Sequence, residues 1–170
     1  SDKYVEPLHP IAFLPWDASK FIMQSEKDGY NHIYLYDRSG KQLKQLTQGQ
    51  WVVMDVLGFN TKDKSIIIAS NENHPLQCNL YAVNIKNGKR TALDNQQGVH
   101  NGVLSAAGTL LYDKYSEPDV PRCIEIASTS KNQRYQLLKA EDPWKDYKQP
   151  IFEFGSIKAA DGVTDLYYRI

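Results

Sequence analysis

The sequence has almost nothing with which to cross a membrane and no excess charge with which to hold a polyanion. Its longest unbroken apolar runs, such as Ile66-Ile67-Ile68-Ala69, stop at four or five residues, whereas a spanning helix needs about 20. Twenty basic side chains balance 20 acidic ones, so no long-range field draws in phosphate backbones or anionic lipid, and nucleic acid is not an expected partner. The two cysteines, Cys78 and Cys123, are too few for a disulfide framework and too far apart for a zinc knuckle; they read as ordinary thiols. No basic start with an apolar stretch and a small-residue cleavage site opens the sequence, so its first residues carry no address. An apolar stripe at helical spacing is also missing from every window of about 12 residues.

What is present is strand. Val, Ile, Thr, Phe, Tyr and Trp together account for 46 of the 170 residues, against 18 for Ala and Glu, which points to an all-β chain. The strands recur as copies of one pattern. Phe21 to Ser25, the turn Asp28-Gly29-Tyr30-Asn31, His32 to Asp37, the turn Ser39-Gly40 and Gln42 to Thr47 make the first copy, and Trp51 to Val56 begins a new run. Ser65 to Ser70, a polar loop to Gln77, Asn79 to Asn84, the turn Asn87-Gly88 and Lys89 to Leu93 make the second. The third reads Thr109 to Asp113, a loop holding Pro118 and Pro121, Cys123 to Ile126, and Tyr135 to Leu138.

Between the equivalent positions Ile33, Leu80 and Ile124 the period is 47 and then 44 residues, the length of a four-stranded propeller blade. Gly40 and Gly88 supply the positive backbone angle of the short hairpins. An antiparallel sandwich spaces its strands similarly, but the repeat favours a partial β-propeller. Closed propellers have roughly four to eight blades, so about three blades read as an arc of a larger ring, placed at residues 1–148. Beyond the polar stretch Glu141 to Tyr147, Phe152 to Lys158, the turn Ala160-Asp161-Gly162 and Thr164 to Arg169 read as a β-hairpin of a different unit, 149–170. Its strand Leu166-Tyr167-Tyr168-Arg169-Ile170 is expected to be cut short.

Catalytic chemistry is hard to assemble from these residues. A Gly-Xaa-Ser-Xaa-Gly nucleophile turn is missing, and the nearest fragment, Gly155-Ser156-Ile157, falls in the expected hairpin, where Ser156 reads as a strand-face residue. His9, His32, His74 and His100 lie 23, 42 and 26 residues apart, too far for a metal motif, and read as surface or turn residues. Glu141-Asp142 reads as a solvated loop rather than a glycosidase pair. Asp113, Glu117 and Asp119 lack the alternating oxygen ligands of a calcium loop. Tyr34, Tyr36 and Tyr81 read as core or blade-edge aromatics. By their own chemistry the residues describe a binding or scaffolding module with no catalytic, cofactor or metal residues to name.

Particular words say more. Glu6-Pro7-Leu8-His9-Pro10, Ser25-Glu26-Lys27-Asp28-Gly29-Tyr30-Asn31-His32-Ile33-Tyr34 and Gln45-Leu46-Thr47-Gln48-Gly49-Gln50-Trp51-Val52-Val53 resemble the late propeller blades of dipeptidyl peptidase IV, in the prolyl oligopeptidase group of serine peptidases. Asn79-Leu80-Tyr81, Gly88-Lys89-Arg90-Thr91, Tyr115-Ser116-Glu117-Pro118-Asp119-Val120-Pro121 and Ile157-Lys158-Ala159-Ala160-Asp161-Gly162 are similar to later words of bacterial members, in the same order. The resemblance implies that Pro7 to about Lys139 are the last blades of an eight-bladed propeller and that the hairpin starts an α/β-hydrolase domain. It further implies a parent that releases Xaa-Pro, and less readily Xaa-Ala, dipeptides from peptide N-termini. The parent's Ser, Asp and His would follow Ile170, and its amine-binding glutamate pair would lie upstream.

This segment would then be non-catalytic, walling the substrate cavity; the alternative is a stand-alone propeller that binds a protein or peptide partner. The family implies an exported, periplasmic or outer-surface bacterial protein, a homodimeric parent, no cofactor, and as partners the rest of its own chain and peptide substrates. It also places an extended-substrate contact just before the Glu-Pro word, here Asp2-Lys3-Tyr4-Val5, though no role passes to any one of these. An arc of blades leaves strand edges unpaired, so the isolated chain is expected to self-associate. Light scattering should show a mass that grows with protein concentration, and a monomer at high concentration would contradict this.

Overall fold

The computed structural model describes residues 9–117, 120–148 and 150–170. Among these, 14 strands form three four-stranded sheets and one hairpin, with no helix. Blade 1 comprises β1 (Ala12–Leu14), β2 (Asp17–Ser25), β3 (His32–Asp37) and β4 (Gln42–Gln45). Blade 2 comprises β5 (Val53–Asn60), β6 (Ser65–Ser70), β7 (Asn79–Asn84) and β8 (Arg90–Ala92). Blade 3 comprises β9 (Val99–Leu104), β10 (Leu110–Glu117), β11 (Val120–Ser128) and β12 (Arg134–Lys139). Each sheet is an antiparallel meander in chain order. The hairpin pairs β13 (Phe154–Lys158) with β14 (Asp165–Arg169), and Glu153 and Ile170 exchange two further backbone hydrogen bonds.

The repeat also appears in the turn chemistry. Ile33, Leu80 and Ile124 all fall in the third strand of their blade, and that strand ends on a residue whose side chain caps the turn that follows. Asp37 Oδ1 accepts from the amides of Ser39 and Lys41 (2.9 and 3.1 Å). Asn84 Oδ1 accepts from those of Lys86 and Asn87 (2.9 and 3.3 Å). Ser128 Oγ accepts from those of Ser130 and Lys131 (3.3 and 3.1 Å). In each case a short polar side chain replaces the backbone carbonyl that would otherwise close the turn. The Ser39 hydroxyl bond and the two amides also hold the Asp37 carboxyl below its ordinary range, against a desolvation cost. Gly40 (φ 86°) and Gly88 (φ 71°) then take the left-handed position.

Two apolar clusters lie between blades, both built on the alternation of β6 and β7. Ile66, Ile68, Tyr81 and Val83 point toward blade 1 and meet Ile22, Ile33, Leu35 and Leu46. Ile67, Ala69, Leu80 and Ala82 point the other way and meet Leu111 and Ala127 of blade 3. All six residues of β6 are buried in consequence, and each such apolar side chain contributes roughly 1.5–3 kcal/mol. The rims are joined by polar contacts: Asn60 Nδ2 donates to Thr129 Oγ1 (2.8 Å), whose hydroxyl donates to Gly108 O (2.7 Å).

Three expectations need correction. Pro121 lies inside β11 rather than in a loop, where the register shift between Tyr115 and Glu117 removes the need for its missing amide. Pro118 is outside the described residues. His32 and His100 are buried strand residues, not surface or turn residues: the loop after β4 satisfies the His32 ring through Gly49 O, and Asp113 on the neighbouring strand with Gln97 O just upstream satisfies that of His100. His9 is exposed and His74 sits half-buried in the β6 to β7 loop.

Gly40 and Gly108 test the cost of a side chain in two settings. Both have positive φ, but a Cβ on Gly40 meets open space while one on Gly108 overlaps the carbonyl of Phe59. In urea unfolding, Gly40→Ala should cost about 1 kcal/mol of left-handed strain, and Gly108→Ala more than about 3 kcal/mol.

Candidate functional site

A cleft of about 880 Å³ opens where the β6 to β7 loop, the chain entering β9, the end of β10 and the C-terminal hairpin meet. The β6 to β7 loop supplies His74, Leu76 and Gln77. It is shaped by Asn73, whose amide donates to Gln77 Oε1 (2.9 Å) and Gln96 O (2.8 Å). His74 Nδ1 accepts from the Leu76 amide (3.1 Å), and its ring meets Tyr167 of β14 edge-on, centroids 5.5 Å apart. Gln97, Gly98 and Val99 form the opposite wall with Ser116 and Glu117. A short parallel bridge fixes that wall: Cys78 N donates to Gly98 O (3.3 Å) and His100 N to Cys78 O (2.9 Å). The hairpin closes the third side with Phe152, Phe154 and Arg169, and the Arg169 guanidinium lies over the Phe152 ring at 4.3 Å.

Among the described residues the lining is mixed: one carboxylate, one guanidinium, one imidazole, two side-chain amides, a hydroxyl and several apolar groups. Such a surface suits an extended peptide of varied side chains better than a polyanion. Among the described residues, Glu117 Oε1 receives a long contact from Asn95 Nδ2 (3.4 Å). Behind the wall, burial and the nearby Asp94, Asp113 and Asp55 push the Cys78 thiol up, which favours its protonated form. Burial also pushes Tyr81 up to about 12, aided by Glu72 and Asp94.

Acyl-transfer chemistry would need a serine activated by a histidine. Among the described residues no hydrogen bond joins a serine to a histidine: Ser116 lines the cleft and Ser156 is exposed on β13. Among the same residues, no group of three or more His, Cys, Asp or Glu could hold a metal ion.

The residues weighed from sequence do not converge. Tyr34 and Tyr81 are core, and Tyr36 stacks on Phe21 at 5.4 Å. Glu141 and Asp142 are exposed just ahead of a turn at residues 143–146. Asp113 is buried in blade 3, Glu117 lines the cleft, and Asp119 lies outside the described residues, as do Asp2 to Val5. The cleft itself carried no sequence signal, since its walls come from four separate stretches.

Three consecutive meander sheets packed face to face define the class: a run of β-propeller blades. The family profile described as the N-terminal region of dipeptidyl peptidase IV matches residues 1–122, and the chain belongs to that family. Dipeptidyl peptidase 4 of Trichophyton tonsurans is 31% identical over 151 residues, covering 85% of this chain and 19% of that protein. The Arthroderma otae protein of the same name is 29% identical over 170 residues, covering 95% and 22%. A solved structure from Bacteroides ovatus, described as a candidate dipeptidyl aminopeptidase IV, is 42% identical with a TM-score of 0.86, covering 99% of this chain and 27% of that one. Porphyromonas gingivalis dipeptidyl peptidase 4 is 26% identical with a TM-score of 0.77, covering 92% and 22%. The chain thus spans about a fifth of the length of the curated relatives it matches.

The His74 and Tyr167 contact ties the hairpin to blade 2. His74→Ala should therefore speed tryptic cleavage at Lys158 and Arg169 several-fold while leaving the unfolding free energy of the blades within about 0.5 kcal/mol. Unchanged proteolysis would show that the contact does not hold the hairpin.

Proposed function

We propose that the chain forms late blades of an eight-bladed propeller in a dipeptidyl peptidase IV-like serine exopeptidase, with residues 149–170 opening its α/β-hydrolase domain. The observation that carries this reading is an arc of three blades followed by a hairpin, matched over 99% of its length by the Bacteroides ovatus fold. The parent would release Xaa-Pro, and less readily Xaa-Ala, dipeptides through an acyl-enzyme. A serine would attack, a histidine would move the proton, and an oxyanion hole would stabilise the tetrahedral intermediate. Those groups are proposed to lie in the hydrolase domain.

The blades would act by enclosure. Blade 2 loops and the hairpin bound the cleft from different sides, so a peptide entering there would touch both units, and a bulky folded chain would be turned away. Among the described lining residues, Glu117 and Arg169 are the charged groups that would orient it. We also propose a location outside the cytoplasm of a bacterium and a homodimeric parent, readings that rest on the family resemblance alone.

Two measurements test the reading. The coding sequence should run past Ile170 into a Gly-Xaa-Ser-Xaa-Gly segment with a later Asp and His, and should carry a Glu-Glu pair upstream. A reading frame ending near Ile170 would instead favour a binding module. The 170-residue chain alone should release nothing from a glycyl-prolyl reporter; robust turnover lost on Ser156→Ala would overturn the proposal.

A further inference from the structure

His100, on β9, is buried with both ring nitrogens facing acceptors. Nδ1 lies 2.8 Å from Asp113 Oδ2 on β10, and Nε2 lies 2.8 Å from Gln97 O and 3.0 Å from Asn95 Oδ1. A backbone carbonyl cannot donate, and neither can a carboxylate. The pair therefore needs two protons where a neutral imidazole and a carboxylate together hold one. His32, equally buried, shows the contrast: its Nε2 faces Gly49 O (3.0 Å), but its Nδ1 faces the Thr47 hydroxyl (3.1 Å), which can donate, so one ring proton suffices.

The surroundings keep that extra proton in place. Asp113 Oδ1 has no hydrogen-bond partner among the described residues, so the imidazole supplies the carboxylate's one hydrogen bond. Asp94, after β8, places Oδ2 3.9 Å from Nε2. Arg134 of β12 reaches Asp113 Oδ2 at 3.6 Å, which favours the proton riding on the imidazole, and it is itself paired to Glu125 of β11 at 2.5 Å. Tyr115 of β10 stacks on the ring at 4.6 Å and donates to Glu125 Oε1 (3.2 Å). Burial lowers the proton affinity of His100, but the Asp113 hydrogen bond and the charges of Asp94 and Asp113 outweigh it, and the net shift is upward.

We propose that the His100 and Asp113 pair is a proton-binding site that holds the cleft wall formed by Gln97 and Gly98 in its present shape. The link is direct, because the Nε2 proton binds Gln97 O while Gln97 and Gly98 line the cleft. With a raised value in the folded chain, the stabilisation is fully present below the ordinary histidine range and is lost as pH rises through the folded value. Deprotonation leaves either Asp113 or Gln97 O facing a lone pair, and the wall loosens.

The test is an NMR titration of the chain from pH 5 to 9. The His100 ring should titrate above about 6.5, and the amides of Gln97, Gly98 and Glu117 should shift with the same midpoint. Asp113→Asn should lower the His100 midpoint by about one unit or more, a tenfold loss of proton affinity. A His100 midpoint at or below about 6.5, or wall amides that ignore its titration, would overturn the proposal. Should the variant not fold, the wild-type titration decides alone.

Discussion

Everything in this fold depends on blade 2 being buried from both sides. A four-stranded meander has two faces and no way to cover either by itself, so Ile66 and Ile68 need blade 1 as much as Ile67 and Ala69 need blade 3. The strict alternation of a β-strand turns one short run, Ser65 to Ser70, into a seam between two different cores. The arc therefore stands as one packed unit rather than three independent sheets, and the cleft sits at an edge whose position the packing has already fixed.

Polar groups inside the arc fall into two kinds. The first is structural: Asp37, Asn84 and Ser128 close their turns, and Asn60 ties the rim of blade 2 to that of blade 3. These bonds substitute for lost water at little net gain, but leaving any of them unmade would be costly. The second kind is charged and lies behind the cleft wall, where Asp94, His100, Asp113, Glu125 and Arg134 gather within blade 3 and its approach. Blade 1 holds His32 in the core with neutral partners instead. The same residue type thus serves packing in one blade and charge balance in another.

Strand content, repeat length and the hairpin turns were legible in the sequence because each has a local cause: β-branched runs, a 47 and 44 residue spacing, and glycine where φ is positive. What escaped was set by distant partners. Strand β1 is only three residues long, and β9 reads Val-His-Asn-Gly-Val-Leu, too polar to announce a strand. Its histidine is buried because Asp113, on the next strand, and Gln97, three residues upstream, hold its ring nitrogens, and no motif marks that set. The cleft was invisible for the same reason, and the ordered family words, rather than any site residue, carried the functional reading.

The two-faced character of blade 2 also bears on how the chain is made. Strands paired within each blade are neighbours in sequence, so each blade closes over short loops without crossover connections. As the polypeptide leaves the ribosome, however, β6 and β7 emerge with one surface already provided by blade 1 and the other bare until about 45 further residues have been added. For several seconds at ordinary elongation rates a nascent blade exposes Ile67, Ala69, Leu80 and Ala82 to whatever lies nearby. Vectorial synthesis thus makes the nascent protein's solubility a matter of translation speed.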